Sequence, residues 1–593
     1  MQNFTNKYIT KIARKGRKTT LCDAYVVACK MKKGLFSTLA IFGVIALILV
    51  GGIYGGLELT KNWGKAPDQV TTENASEELQ KILKSVKVSN VDPIKGQVDL
   101  QSTDLKESLP DIAKYPAQVE ASTTDFVEIF SSTEKAGSGT DGWLTDVGKA
   151  FNASNTVVDG KKVSVKIRGI ASGTGTDYIT SGKYLPDAFT PSNELWGEMI
   201  KSQGVDIKML NKKLAGNVAG ILISKSKHAE LVKKYGSINA KTVTDAVSNN
   251  EISMGYTNPF ASSTGLNFLI TTLNTFDSQN VLSDVAKAGF EKFQTNIPFV
   301  AYTTLQMRES AKSGLLDGFI LEYQTYANSP DIKNDYVFTP FGVRHDSPIY
   351  SIGDISSEKT AILSKFIEFT QQEKYQKLAS NNGFNSLNDY TAESNPITGD
   401  VITQAQKLWK EKKNGSKNIC AVFVADVSGS MAGEPINKLR QSLLQGSKYI
   451  GKDNEVGLVS YSDSVSVNLP IAKFDINQQS LFSGAVTSLQ TGGGTATFDA
   501  IAVAMSMLNA EMVKNPNLKP MLFVLSDGDT NKGHSLNDIT GIIRASKIPV
   551  YTIGYNANVK ALQSISGINE AASINADTSD VMYQLGNLFN AQM

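Results

Sequence analysis

A chain of 593 residues exceeds one ordinary domain and has room for two or three. Its 41% hydrophobic, 8% aromatic and 20% charged residues describe a largely globular protein, and its net charge of +2 hides an asymmetry. Nine Lys or Arg against Asp23 alone put residues 1–33 at +8 and the remainder at −6, so nothing in the body points to nucleic acid.

Residues 1–33 read as a basic cytoplasmic tail. Residues 34–57, GLFSTLAIFGVIALILVGGIYGGL, carry no charge and are as long as a bilayer span requires. Because the basic flank precedes the span, the N-terminus is expected in the cytoplasm and everything after Glu58 outside, in a single-pass arrangement. The competing reading is a cleaved secretory signal. Against it, the apolar core is longer than a typical signal core and no A-x-A site follows. The cysteines are Cys22, Cys29 and Cys420. Only Cys420 falls on the outer side of the membrane, so the body is held by its cores rather than by disulfides. A large ectodomain without disulfides points to a bacterial source.

Residues 58–122 are polar, with one helix expected over 77–85, and read as a stalk or linker without chemistry of its own. From 123 to 412 strands and helices alternate. Phe126–Phe130 is a strand ending in Ser131-Ser132, and Trp143–Phe151 is helical. Val163–Ile167 leads into Ser172-Gly-Thr-Gly-Thr176, and Asp187–Thr190 ends in Pro191-Ser192-Asn193. Val218–Ser224 is a buried strand. Met254–Thr257 runs into Asn258-Pro-Phe-Ala-Ser262-Ser263-Thr264-Gly265 and an apolar helix. Leu315–Leu321 ends in Glu322-Tyr323, and a late strand at 350–352 precedes a helix over 361–378. Such alternation implies mainly parallel sheets flanked by helices. Four strand ends finish in Ser, Thr, Asn and Gly and enter a helix, which can cradle an oxyanion or small polar ligand on backbone N–H groups and hydroxyls. Each loop taken singly is better explained by capping and turn preference, and it is the four together that point to a ligand.

This order of strand ends resembles the type II periplasmic (extracellular) solute-binding proteins, in the style of the molybdate, sulfate and phosphate group. The resemblance covers about 290 residues. It implies two lobes joined by crossovers near 214–223 and 320–336. By position it implies ligand contacts from Ser131, Ser132, Ser172, Ser192, Asn193, Ser262, Ser263 and Thr264. Arg168 and Glu322 depart from a neutral anion site.

Lys410–Lys417, KEKKNGSK, marks the expected boundary of a C-terminal domain, 413–593. There Ala421–Ala425 is an apolar run ending in Asp426-Val-Ser428-Gly-Ser430, followed by a helix over 435–450. A second apolar run, Met521–Leu525, ends in Ser526-Asp527-Gly528-Asp529. Between them lies Thr491-Gly-Gly-Gly-Thr495. In an open α/β sheet of parallel strands all three loops fall on one edge. Carboxylates and hydroxyls concentrated there suit a hard divalent cation.

DxSxS, then GGGT, then a strand ending in SDG resembles the von Willebrand factor A domain with a metal-ion-dependent adhesion site. The resemblance implies a doubly wound, Rossmann-like α/β fold. It implies that Ser428 and Ser430 bind Mg2+ (or Mn2+ or Ca2+) directly, that Thr495 binds directly or through water, and that Asp426 and Asp527 act through waters. One position stays open for an Asp or Glu carboxylate of a protein partner. Asp529 is given no role.

The histidines, His228, His345 and His534, form no HExxH and no zinc-spaced set. There is no GxSxG elbow, and TGGGT lacks the GK[ST] of a phosphate loop. The histidines read as surface or packing residues, and no catalysis is expected. The expectation is an α/β membrane-anchored binding protein, a bilobal solute-binding-like domain followed by an A domain. The alternative is a receptor for a small anion or polar solute serving transport or anion resistance, with the A domain as docking module.

Overall fold

The structure is a computed structural model that describes residues 70–99, 105–301, 307–308, 316–392, 397–415, 417–528, 530–555, 573–576, 586, 588–589 and 593. The basic tail, the 34–57 span and Asp529 lie outside the described residues. Among the described residues no helix is long and apolar enough to cross a membrane.

The middle of the chain forms two lobes. The first is built on a mixed sheet in the order Ala117–Val119, Lys161–Gly169, Asp125–Ser131, Ala188–Thr190, Ile349–Ile352, Ile207–Asn211. Its central strands 125–131, 161–169 and 188–190 run parallel, as the alternation predicts. The late strand 349–352 is antiparallel to both of its neighbours. The second lobe pairs Gly318–Glu322 and Tyr336–Arg344 antiparallel on either side of Val218–Ser224. Gly255–Thr257 lies parallel to Phe299–Ala301. The chain leaves the first lobe between Asn211 and Val218 and returns between Arg344 and Ile349. The second crossing is therefore later than the expected 320–336, which lies within the second lobe. The cause is strand 336–344, whose Pro340 and Gly342 break the alternation that marks a strand. The two crossings are tied together: His345 N donates to Asn217 O at 3.0 Å and Leu214 N to Ser347 O at 3.2 Å.

The helix Gly399–Lys412 extends into the first residues of the segment read as a connector. Its start lies on the first lobe, where a Cβ at Gly399 would sit 2.0 Å from Glu198 O. Its end is fixed to the second lobe. Gln406 Nε2 donates to Pro259 O at 2.8 Å, Trp409 Nε1 to Tyr256 OH at 2.6 Å, and Lys412 pairs with Glu291 at 2.8 Å.

The C-terminal sheet runs Val88–Asn90, Val465–Lys473, Glu455–Tyr461, Ile419–Asp426, Lys519–Ser526, Val550–Tyr555, Ser573–Ala576. From Glu455–Tyr461 to Ser573–Ala576 it is parallel throughout. Strand 419–426 is buried along its whole length, as its unbroken apolar run predicts. Cys420 packs in this core, where burial pushes its thiol up to about 12. Apolar side chains of the second lobe (Leu222, Phe319, Leu321, Tyr336) and of this sheet (Phe423, Phe523, Tyr551) belong to one contiguous core. At that junction Lys519 Nζ donates to Ile297 O at 3.2 Å, and burial together with Lys417 pushes its ammonium down to about 8. A folded-state value below the ordinary lysine value of about 10.4 means that the unfolded chain binds the extra proton between those values. Folding stability should therefore rise with pH from about 8 to about 10, and Lys519→Met should remove that rise in denaturant titrations.

Residues 70–99, read as stalk, add to this C-terminal unit. Helix Ala75–Leu83 places Leu79 in its core with Val422, Val424 and Ile501. Strand 88–90 joins the sheet edge, with Val88 opposite Val465. Gly96 and Gly484 cross in close contact, since a Cβ on Gly484 would lie 1.8 Å from Ile94 O and one on Gly96 2.5 Å from Gly484 N. Backbone cannot move aside as a flexible side chain can. Gly484→Ala should therefore detach this segment, seen as protease cleavage within 70–99 while the rest of the chain resists.

Candidate functional site

Parallel pairing of strands 419–426 and 519–526, with Ala425 opposite Leu525, brings their carboxyl ends side by side. Asp426 ends the first and Ser526 the second, and Ser526 Oγ donates to Asp426 Oδ2 at 2.6 Å. The other oxygen of Asp426 accepts from Ser428 N at 2.8 Å, folding the Ser-Gly-Ser turn back over the strand end. The two seryl hydroxyls are then 3.0 Å apart, and Ser430 Oγ donates to Asp527 Oδ1 at 3.0 Å. Four of the five residues expected to hold a metal thus form one hydrogen-bonded set from two loops.

Thr495, the fifth, comes from the glycine loop. Gly429 N donates to Gly493 O at 3.0 Å and Gly492 N to Val427 O at 2.8 Å, which clamps this loop against the first. Gly493 adopts a φ of +80° with Asp463 against it, a conformation that suits glycine. Two residues that sequence reasoning missed hold the loop. Gly494 N donates to Asp463 Oδ1 at 3.0 Å, and Thr495 N to Asn531 Oδ1 at 2.9 Å. Neither carries a motif signal. Ser526 was legible as part of the SDG strand end, but its contact with Asp426 was not.

The set is graded in depth. Asp426, Ser428 and Thr495 are buried, Asp527 is half-buried and Ser430 is exposed. Burial raises the carboxyl of Asp426 above its usual range; burial also raises that of Asp527, and the charge of Asp426 adds to it. Two neighbouring carboxylates whose ionisation is costly, beside three hydroxyls, fit a hard divalent cation, whose charge would relieve that cost. Among the described residues no group of three or more His, Cys, Asp or Glu is placed to hold a metal. Any cation here would rest on this mixed hydroxyl and carboxylate set.

The eight residues nominated for a small ligand are buried in the bilobal domain. They divide into two groups. Ser132 Oγ donates to Glu134 Oε1 and accepts from Lys135 Nζ, and Ser192 Oγ donates to Glu134 Oε1 at 2.5 Å. Ser131 Oγ reaches only Ser132 O, at 3.4 Å. In the other group Ser263 Oγ donates to Ser172 Oγ at 3.0 Å and accepts from Trp196 Nε1 at 2.8 Å. Asn193 Nδ2 donates to Ser263 O at 3.2 Å and lies 3.1 Å from His345 Nε2. Ser262 caps its helix, accepting from Gly265 N at 3.3 Å. Thr264 Oγ1 donates to Glu322 Oε1 at 3.3 Å. That carboxylate also holds His345 Nδ1 at 2.7 Å and Asn217 Nδ2 at 2.8 Å, so His345 is a fully buried hydrogen-bond partner of Glu322 at the crossings. Arg168 is elsewhere, on Glu128 at 2.6 Å and Tyr115 O. Glu134 and Lys135 escaped the sequence reading although only Thr133 separates them from Ser131-Ser132, because charged residues after a strand end read as a solvated turn.

Residues 421–591 match the family model of the von Willebrand factor type A domain. Over 149 residues the chain is 30% identical to inter-alpha-trypsin inhibitor heavy chain H3 of Bos taurus, covering 23% of this chain and 16% of that protein. The chain thus spans about a sixth of the length of that relative. Among solved structures it is similar to a von Willebrand factor type A protein from Catenulispora acidiphila, at 18% identity and a TM-score of 0.27, covering 30% of this chain and 42% of that one. It is also similar to the periplasmic binding protein AfuA from Actinobacillus pleuropneumoniae, at 14% identity and a TM-score of 0.35, covering 49% of this chain and 99% of that one.

Proposed function

We propose that this chain is a non-enzymatic, membrane-anchored binding protein that engages an acidic group on a protein partner through Mg2+ at its C-terminal domain. The observation that carries this reading is the joined set of Asp426, Ser428, Ser430 and Asp527 beside the Thr495 loop, with Ser430 exposed to solvent. Ser428, Ser430 and Thr495 would hold the ion, which supplies a Lewis-acidic point for an Asp or Glu carboxylate of the partner. Asp426 and Asp527 orient the hydroxyls and balance the charge of the ion, so an incoming carboxylate meets a near-neutral site. Ser526 and Asn531 keep those groups in place.

The charge-free 34–57 segment and the basic residues before it support a single-pass anchor with the C-terminal body outside the cell. Melting the full-length chain in Mg2+ and in EDTA tests the metal reading. Mg2+, or Mn2+ or Ca2+ in its place, should raise the melting temperature, and an identical melt in EDTA would end the proposal. Protease added to intact cells should remove the C-terminal body and leave residues 1–33 protected. The bilobal domain serves in this reading as a second interaction body. A solute-receptor role, with a small oxyanion as ligand, draws support from the hydroxyls of Ser132 and Ser192 and from the separate pair of Ser172 and Ser263, and it meets the carboxylates described next.

A further inference from the structure

The hydroxyls nominated for an anion already have an anion, and the chain provides it. After strand 125–131 the backbone turns back on itself, with Lys135 N and Ala136 N donating to Ser132 O at 3.3 and 3.2 Å. That turn carries the Glu134 side chain over the end of its own strand. One oxygen, Oε1, accepts from Ser132 Oγ on this strand and from Ser192 Oγ, just past the end of the neighbouring strand 188–190. Lys135 supplies the counter-charge. Its ammonium is fully buried and lies 3.8 Å from Glu134 Oε1, donating to Ser132 Oγ and to the carbonyls of Thr190 at 2.9 Å and Pro191 at 3.3 Å. Two hydroxyls converging on one anionic oxygen, with a buried cation behind them, is the arrangement an oxyanion would receive. On the second lobe Glu322 repeats the theme, taking the Thr264 hydroxyl together with His345 and Asn217.

We infer that Glu134 is a built-in occupant of the anion position in the first lobe. Its carboxylate holds Ser132 and Ser192, so the chain takes up no free oxyanion while Glu134 is present and gains an oxyanion site when that carboxylate is removed. A second anion beside Glu134 would meet like charge in a buried setting, where repulsion is weakly screened. Without Glu134, two hydroxyls and the Lys135 ammonium face a space the size of a carboxylate. Burial pulls that ammonium down, and the charges of Glu134 and Glu322 oppose that pull. Losing one of them makes an external anion its replacement.

The test is calorimetry of the full-length chain against sulfate, phosphate, molybdate and formate, for wild type and Glu134→Ala. Wild type should give no binding heat with any of the four. Glu134→Ala should bind at least one oxyanion, and that anion should raise its melting temperature by several degrees without moving the wild-type melt. Adding Lys135→Met to Glu134→Ala should abolish the gain. Oxyanion heat in wild type would overturn the inference, as would a folded Glu134→Ala chain indifferent to all four anions. If Glu134→Ala does not fold alone, refolding in formate or sulfate should restore its far-ultraviolet dichroism, and failure to restore it counts against the inference. None of these readings depends on Mg2+, so the outcome is separable from that of the C-terminal site.

Discussion

Asp426→Ala should abolish the Mg2+-dependent part of the chain's stability and, with it, Mg2+-dependent capture of a partner. The size of the effect follows from what the residue holds. Its two oxygens fix Ser428 N and Ser526 Oγ, and through Ser428 the turn that presents both seryl hydroxyls. A cation at a hundred times its dissociation constant stabilises the folded state by about 2.7 kcal/mol, and all of that should vanish. In EDTA the variant should differ from wild type by that much less. Leaving two donors without partners costs about 1–3 kcal/mol each, while removing a buried carboxylate whose ionisation is already costly returns part of that. A melt in which Asp426→Ala still gains stability from Mg2+ would show that the ion binds elsewhere.

Trp409→Ala should destabilise the whole chain by about 3–5 kcal/mol, the ordinary cost of emptying a large buried aromatic site. Trp409 is fully buried near the end of the helix fastened to both lobes. Its ring centroid lies 5.8 Å from that of Phe260, and its Nε1 donates to Tyr256 OH. Tyr256 keeps its own bond to Gln294 at 2.6 Å, so the packing loss dominates and Trp409→Phe should restore much of the stability. Urea titration should show a lower midpoint with an unchanged slope. A shift below about 1 kcal/mol would mean that this helix is not what holds the lobes.

What the sequence made legible was decided by burial. Strand 419–426 and residues 521–526 of its neighbour are buried throughout, so they stand out as apolar runs, and the polar residues at their ends are conspicuous by contrast. Strand 88–90 is the opposite case. Its three side chains are all exposed, and it joins the sheet through its backbone, leaving no side-chain pattern to read. Pro340 and Gly342 hid the strand that sets the second crossing. Glu134 was invisible for another reason. A carboxylate two residues past a Ser-Ser pair is unremarkable until the fold brings Ser192, 58 residues away, onto the same oxygen.

The position of strand 88–90 has a consequence for the order in which the protein can be completed. Ser89 and Ser466, whose hydroxyls lie 2.9 Å apart, are separated by 377 residues. At roughly 5–20 residues per second, synthesis leaves residues 70–99 waiting about 20–75 s for the strand that receives them. Both lobes lie between, and each can form while the waiting segment stays uncommitted. The last sheet to be made is therefore closed by one of the first pieces to emerge, and the N-terminal segment locks the chain only after the C-terminal domain exists.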